Sequence, residues 1–212
     1  MTAFPEPVVA ARGNHDHAPL VVLLHGRGSS EADIIQLADH LPHGPAYVAV
    51  RAPIAEGGGY AWFANRGIGR PLTESLSETM EWFRTWLDEA APVGRPVVLV
   101  GFSGGAAFAG GLVLADPARY TGAAILYGTL PFDAGVSTTP DRLAGRPVFV
   151  AHGDTDLVIP RDLLDRTWRY LHHDSGAVVT GVRDPGGHGL SADVVTHLHR
   201  WLVDLVDTEP TS

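Results

Sequence analysis

Ser103 lies in the run Val97-Val-Leu-Val-Gly-Phe-Ser-Gly-Gly-Ala-Ala107, between four apolar residues and a helix-permissive stretch. A serine hydroxyl is a weak nucleophile near neutral pH; it needs a base within hydrogen-bond reach, and the base needs a third group to orient it. Candidates for both follow downstream. His188 stands in Pro185-Gly-Gly-His-Gly-Leu190, and Asp154 and Asp156 stand in His152-Gly-Asp-Thr-Asp-Leu-Val-Ile-Pro160. The chemistry these residue types support is attack on a carbonyl, which also requires N–H donors for the developing oxyanion. Gly104 opens the helix-permissive stretch, where backbone N–H groups are unpaired. The turn His25-Gly-Arg-Gly28 leaves an earlier apolar run, so the Arg27 amide can be aimed at the same spot.

Such a set works only if the fold positions it. A buried strand, a sharp turn carrying the serine and a helix form a nucleophile elbow, with glycine at plus and minus two because a Cβ there would collide with the neighbouring elements. In this arrangement the partners follow in the order serine, acid, histidine. The acid belongs after a late strand, here Pro147 to Ala151, and the histidine after the next, Ala177 to Val182. Asp156, directly before the Leu-Val-Ile-Pro run, is the preferred acid. Asp154 is the alternative, a turn carboxylate that can cap its own backbone, and Asp133 is a third. His172, His173, His197 and His199 fall on helices and read as surface residues. His25 and His152 are expected to pack beneath the site or to adjust its hydrogen bonding. His15-Asp16-His17 reads as a solvated turn, and no metal is expected.

In the remaining chain Val8 to Arg12, Leu20 to Leu24, Ala46 to Arg51 and Gly122 to Tyr127 have strand character. Helices are expected over Glu31 to Leu41, Thr73 to Ala91, Ala106 to Ala115, Arg161 to His173 and Ser191 to Val206. Ser30 is a plausible N-cap, and Trp82 and Trp86 are read as packing residues. A long loop over residues 54–71 carries Tyr60, Trp62 and Phe63, and a second over residues 128–145 carries Leu130 and Phe132. With Gly26 and Val158 these residues are the expected walls of a substrate pocket. Strands that alternate with helices imply βαβ units and a mostly parallel sheet with helices on both faces. Residues 1–212 are read as one domain.

Composition narrows the function. A formal charge of −9 argues against nucleic acid or an anionic membrane surface as the main partner. The absence of cysteine excludes disulfides, thiolate metal sites and a cysteine nucleophile. No stretch has the ~18 apolar residues of a spanning helix, and no signal peptide is evident, so a cytoplasmic protein is expected. No cofactor is required by any of these residues.

Leu-His-Gly-Arg-Gly, Arg51-Ala-Pro, Gly-Phe-Ser-Gly-Gly, His-Gly-Asp-Thr-Asp-Leu-Val-Ile-Pro and Gly-Gly-His-Gly together resemble the phospholipase/carboxylesterase family of α/β-hydrolases. The resemblance runs from about residue 8 to residue 205. It implies an α/β-hydrolase core without a large lid domain, with Ser103 as nucleophile, Asp156 as acid, His188 as base, and Arg27 and Gly104 as oxyanion donors. Gly104 stands where the related acyl-protein thioesterase branch has Gln, which brings the chain closer to small bacterial carboxylesterases. The expected activity is hydrolysis of short acyl or aryl esters, small-molecule substrates, through an acyl-enzyme. Thioester, lysophospholipid, lactone or C–C hydrolysis by the same triad are the alternatives, and a non-catalytic binding member of the fold is the competing class. A homodimer is compatible with this reading.

Overall fold

The computed structural model describes residues 4–13 and 18–206. In chain order its elements are β1 (Val9–Arg12), β2 (Leu20–Leu24), α1 (Glu31–Ile34), β3 (Ala46–Val50), β4 (Ile54–Glu56), β5 (Gly59–Ala61), β6 (Asn65–Gly67), β7 (Arg70–Pro71) and α2 (Thr73–Ala90). There follow β8 (Val97–Phe102), α3 (Gly104–Ala115), β9 (Gly122–Leu126), β10 (Pro147–Gly153), α4 (Arg161–Arg169), β11 (Val178–Asp184) and α5 (Ala192–Val206). Among the described residues seven strands form the main sheet in the order β1-β3-β2-β8-β9-β10-β11. Only β1 runs antiparallel, pairing with β3 at the edge and not with β2, its neighbour in sequence. A parallel sheet must be covered on both faces, and the side chains of β2 and β8 alternate accordingly. Val22, Leu24 and Leu99 point into the layer of α2 and α3, with Phe83 and Phe108. Val21, Leu23, Val98 and Val100 point into the layer of α1 and α5, with Leu198 and Leu202.

Three expectations from the sequence change. The helix expected over residues 31–41 is α-helical only to Ile34 and continues to His40 as a 3-10 helix. It starts from a capping box in which the Ser30 N–H and hydroxyl both donate to Asp33, at 3.0 and 2.8 Å. The helix expected to reach His173 is α-helical to Arg169 and ends in one wide π turn, Tyr170–Asp174. Residues 54–71, expected as a loop, fold into two hairpins, β4–β5 and β6–β7. Gly57 and Gly58, with φ of 59° and 85°, make the two-residue turn of the first, a turn with positive φ at both positions that matches the twist of its strands and that glycine adopts without strain. Trp82 and Trp86 pack against the core as expected. His15, Asp16 and His17 lie outside the described residues. Among the described residues no helix is long and apolar enough to cross a membrane, and no large lid is inserted over the sheet.

Candidate active site

β8 delivers Ser103 to the carboxyl end of the sheet in a backbone conformation, φ 55° and ψ −113°, that side chains bearing a Cβ adopt only when their surroundings impose it. The surroundings are specific. The Ser103 N–H donates to the Leu126 carbonyl at the end of β9 (2.8 Å), and the Ser103 carbonyl accepts from Ala106 and Ala107 as α3 begins (3.0 and 3.3 Å). A Cβ on Gly101 would lie 2.1 Å from the Gly105 oxygen, and one on Gly105 would lie 2.1 Å from the Leu24 oxygen. Both obstacles are main chain and cannot swing aside. Gly105→Ala is therefore expected to destabilise the protein by about 3 kcal/mol or more, read as a lower urea midpoint at constant m-value. A midpoint equal to that of the parent would show that the elbow relaxes freely.

The loops after β10 and β11 bring the other two predicted residues to this point. His188 Nε2 is 2.9 Å from Ser103 Oγ, and His188 Nδ1 is 2.7 Å from Asp156 Oδ2. The Asp156 side chain is fully buried and that of His188 is 15% exposed. Burial alone would raise the Asp156 pKa. The hydrogen bond from His188 and those from the Ile159 and Val158 amides (3.1 and 2.8 Å) outweigh it and hold the carboxyl below its ordinary range. A carboxylate facing Nδ1 fixes the proton there and leaves the Nε2 lone pair for the serine hydroxyl. The two loops are also stitched to each other, Asp154 N–H to the Asp184 carbonyl (2.6 Å) and Thr155 N–H to the Gly186 carbonyl (3.1 Å).

The competing residues have other partners. Asp154 pairs with Arg183, the Nε–Oδ1 distance being 2.8 Å, and Asp133 pairs with Arg166 (2.9 Å). His172 stacks on Trp168 (4.3 Å between ring centres), His197 Nδ1–H donates to the Asp193 carbonyl (2.9 Å) and His199 Nδ1–H to the His40 carbonyl (3.1 Å). His25 is buried with both ring nitrogens engaged by backbone. Its Nδ1–H donates to the Gly26 carbonyl (2.7 Å) and its Nε2 accepts from Ala52 (3.1 Å), which leaves no place for a second proton. Burial lowers its pKa in the same sense. His152 is buried edge-on to Trp168.

Gly104 and Arg27 meet across the serine: a Cβ on Gly104 would lie 3.3 Å from the Arg27 nitrogen. Neither amide has a backbone acceptor among the described residues. The turn that carries Arg27 is pinned to the first hairpin. Gly28 N–H donates to the Tyr60 carbonyl (2.9 Å), Tyr60 N–H returns to Ser29 (3.0 Å), and the Arg27 guanidinium binds the Glu56 carboxylate and the Phe63 carbonyl.

Beside these groups lies a cleft of about 560 Å³. Of the predicted wall residues, Gly26, Trp62, Phe63 and Val158 line it, with Arg27, Ser103, Gly104 and His188. Tyr60, Leu130 and Phe132 do not, and the pocket assignment is corrected for these three. Tyr60 is spent on bridging the hairpin to the Arg27 turn, with its ring under the Arg51 guanidinium (4.7 Å). Leu130 has no exposed surface, and Phe132 is covered by the guanidinium of Arg166 (4.0 Å) and packs edge-on to Tyr170. Sequence reading missed Ile34, Ile68, Phe102 and Leu190, which supply much of the apolar lining. For Ile68 a signal existed. It is an apolar residue between Gly67 and Gly69 at the tip of the second hairpin and 54% exposed.

The sequence profile of the Phospholipase/Carboxylesterase family matches residues 6–202. Among curated proteins, "Putative hydrolase MhqD" of Bacillus subtilis (strain 168) is 28% identical over 200 residues, which cover 92% of this chain and 96% of that protein. Among solved structures, a Bacillus cereus carboxylesterase superposes with a TM-score of 0.83 at 25% identity, covering 94% of each chain. A Mesorhizobium loti carboxylesterase does so with a TM-score of 0.77 at 26% identity, covering 87% of this chain and 88% of its own. The expected core, a mostly parallel α/β-hydrolase sheet, is thus the fold of this chain, with no large lid among its described residues, and both carboxylesterases superpose on most of it. The chain belongs to the phospholipase/carboxylesterase family of hydrolases.

Proposed function

We propose that the protein is a serine esterase in which Ser103 is the nucleophile, His188 the general base and Asp156 the group that orients it. The observation that carries this reading is the unbroken chain of hydrogen bonds from Asp156 through His188 to Ser103, 2.7 and 2.9 Å, opening into the cleft. Ser103 Oγ attacks the ester carbonyl while its proton passes to His188 Nε2. The Arg27 and Gly104 amides hold the oxyanion, and the alcohol leaves with the proton from Nε2. A water then gives a proton to Nε2 and its oxygen to the acyl carbon, and the proton returns to Ser103 as the acid departs. Labelling by a fluorophosphonate probe tests the reading, because an unactivated serine does not react. Wild-type protein is expected to label and Ser103→Ala to remain unlabelled; an unlabelled wild type would overturn the assignment.

The cleft favours small esters. Its walls come from Trp62 and Phe63, the tip of the hairpin β6–β7, Ile34 of α1 and the turns that carry Arg27, Ser103, Val158 and His188, and among the described residues no lid segment covers a long chain. Turnover of p-nitrophenyl esters is expected to fall from acetate and butyrate to palmitate. An optimum at palmitate would refute the short-chain preference while leaving the triad in place.

A further inference from the structure

One buried carboxylate close to the site takes no part in the reaction just described. Asp184 ends β11 and is 6% exposed, and its side chain joins the residue after β9 to the loop that carries His188. The Tyr127 hydroxyl, from the residue after β9, donates to Oδ2, and the Gly186 N–H donates to Oδ1 at 2.9 Å. At the far end of that loop the Ser191 hydroxyl oxygen accepts from the Val194 N–H (3.2 Å) at the start of α5. Gly186 lies two residues before His188, so Asp184 ties down the near end of the loop that carries the imidazole.

Tyr127 adds a second constraint. It is fully buried and has φ of 49°, a left-handed conformation that a bulky side chain adopts only under constraint. Its N–H donates to the Ala151 carbonyl of β10 (2.7 Å). From there its ring stands edge-on to His188, 6.4 Å between centres at 87°, and Phe102 closes the other approach at 5.3 Å. Burial and then the Asp184 carboxylate push the Tyr127 hydroxyl up to about 12, so it keeps its proton and acts as a donor. Core packing alone would be met by phenylalanine at this position; a hydroxyl aimed at a buried carboxylate beside the histidine loop has a narrower use.

We propose that Tyr127 and Asp184 are positioning residues, a buried strut that fixes the His188 imidazole between Ser103 and Asp156. This inference rests on the triad reading above and extends it to residues that touch neither substrate nor reacting atoms. Misplacing a general base by about 1 Å can cost on the order of 10²-fold in rate. Asp184→Ala is expected to lower kcat by about 10- to 100-fold, with KM changed less than about threefold, when rates are expressed per Ser103 titrated by fluorophosphonate. Asp184→Asn should recover most of the rate, since its amide oxygen can still accept from Gly186 and its nitrogen can donate to the Tyr127 oxygen. Tyr127→Phe retains the ring against His188 and removes only the hydroxyl; about a tenfold loss of kcat is expected, and it serves where Asp184→Ala does not fold. The low-field proton resonance of the His188–Asp156 hydrogen bond should broaden or move in Asp184→Ala and Tyr127→Phe and stay in place in Asp184→Asn. Variants that lose thermal stability but keep wild-type kcat per titrated serine and an unmoved resonance would overturn the proposal, because a purely structural strut predicts that result. A Ser103→Ala variant that stays active would instead bring down the triad reading itself.

Discussion

Ser103→Ala is expected to abolish measurable ester hydrolysis, lowering kcat by about 10⁴- to 10⁶-fold, while the thermal midpoint stays close to that of the parent. The size of the first effect follows from removing the proposed nucleophile, without which the acyl-enzyme cannot form; what survives is the contribution of the proposed oxyanion donors and of binding. The smallness of the second follows from the local geometry. The Ser103 hydroxyl makes its hydrogen bond to His188 at the cleft surface, whereas the elbow is held by main-chain bonds to Leu126, Ala106 and Ala107 that alanine retains. Alanine also inherits the same Cβ in the same strained backbone, so no new strain is introduced. Steady-state kinetics with a p-nitrophenyl acetate assay, together with a melting curve, checks both halves. Retained turnover above about 1% of the parent would assign the chemistry to another residue.

The second large effect separates two neighbouring carboxylates. Asp156→Asn should reduce kcat by about 10⁴-fold, because an amide at this position can present N–H to Nδ1 and so stabilise the wrong imidazole tautomer. Asp154→Ala, two residues away, should leave kcat within about threefold of the parent. The Asp154 carboxylate is 43% exposed and engaged with Arg183, itself 46% exposed, and a solvated pair of this kind contributes at most about 1 kcal/mol. Measuring both variants in one assay gives an internal control for folding. Should Asp154→Ala prove the more damaging change, the acid would have been misassigned.

Much of this arrangement was legible in the amino-acid order because its causes are local. Four apolar residues before a glycine-flanked serine report a strand buried on both faces, and each glycine answers to a main-chain atom about 2 Å from where its Cβ would be. The choice between Asp154 and Asp156 was harder, since both lie in one turn. What distinguishes them in space is that Asp156 faces the amides of Val158 and Ile159 on one side and His188 on the other. The pocket walls were read less well. Tyr60, Trp62 and Phe63 share one stretch, and the alternation of a hairpin strand sends Tyr60 toward Arg51 and not toward the cleft. The Gly57-Gly58 pair carried that information, but without recognising it as a hairpin turn the alternation had no phase. Leu130 and Phe132 failed for another reason: an apolar residue in a proline-punctuated segment can bury itself under its own loop as readily as it can face a ligand. Tyr127 and Asp184 left no trace, since their relation spans 57 positions and exists only once β9, β10 and β11 lie side by side.

The hairpin β6–β7 contributes Asn65, Ile68 and Gly69 to the rim of the cleft yet belongs to a two-stranded sheet of its own, outside the seven-stranded one. Under the proposed reading, this part of the surface that would meet the substrate is built on strands separate from those that carry Ser103, Asp156 and His188. Exchanging residues 65–71 for a segment of other size or polarity should retune which esters are accepted without disturbing how they are cleaved, making this short ribbon the natural place to redesign selectivity.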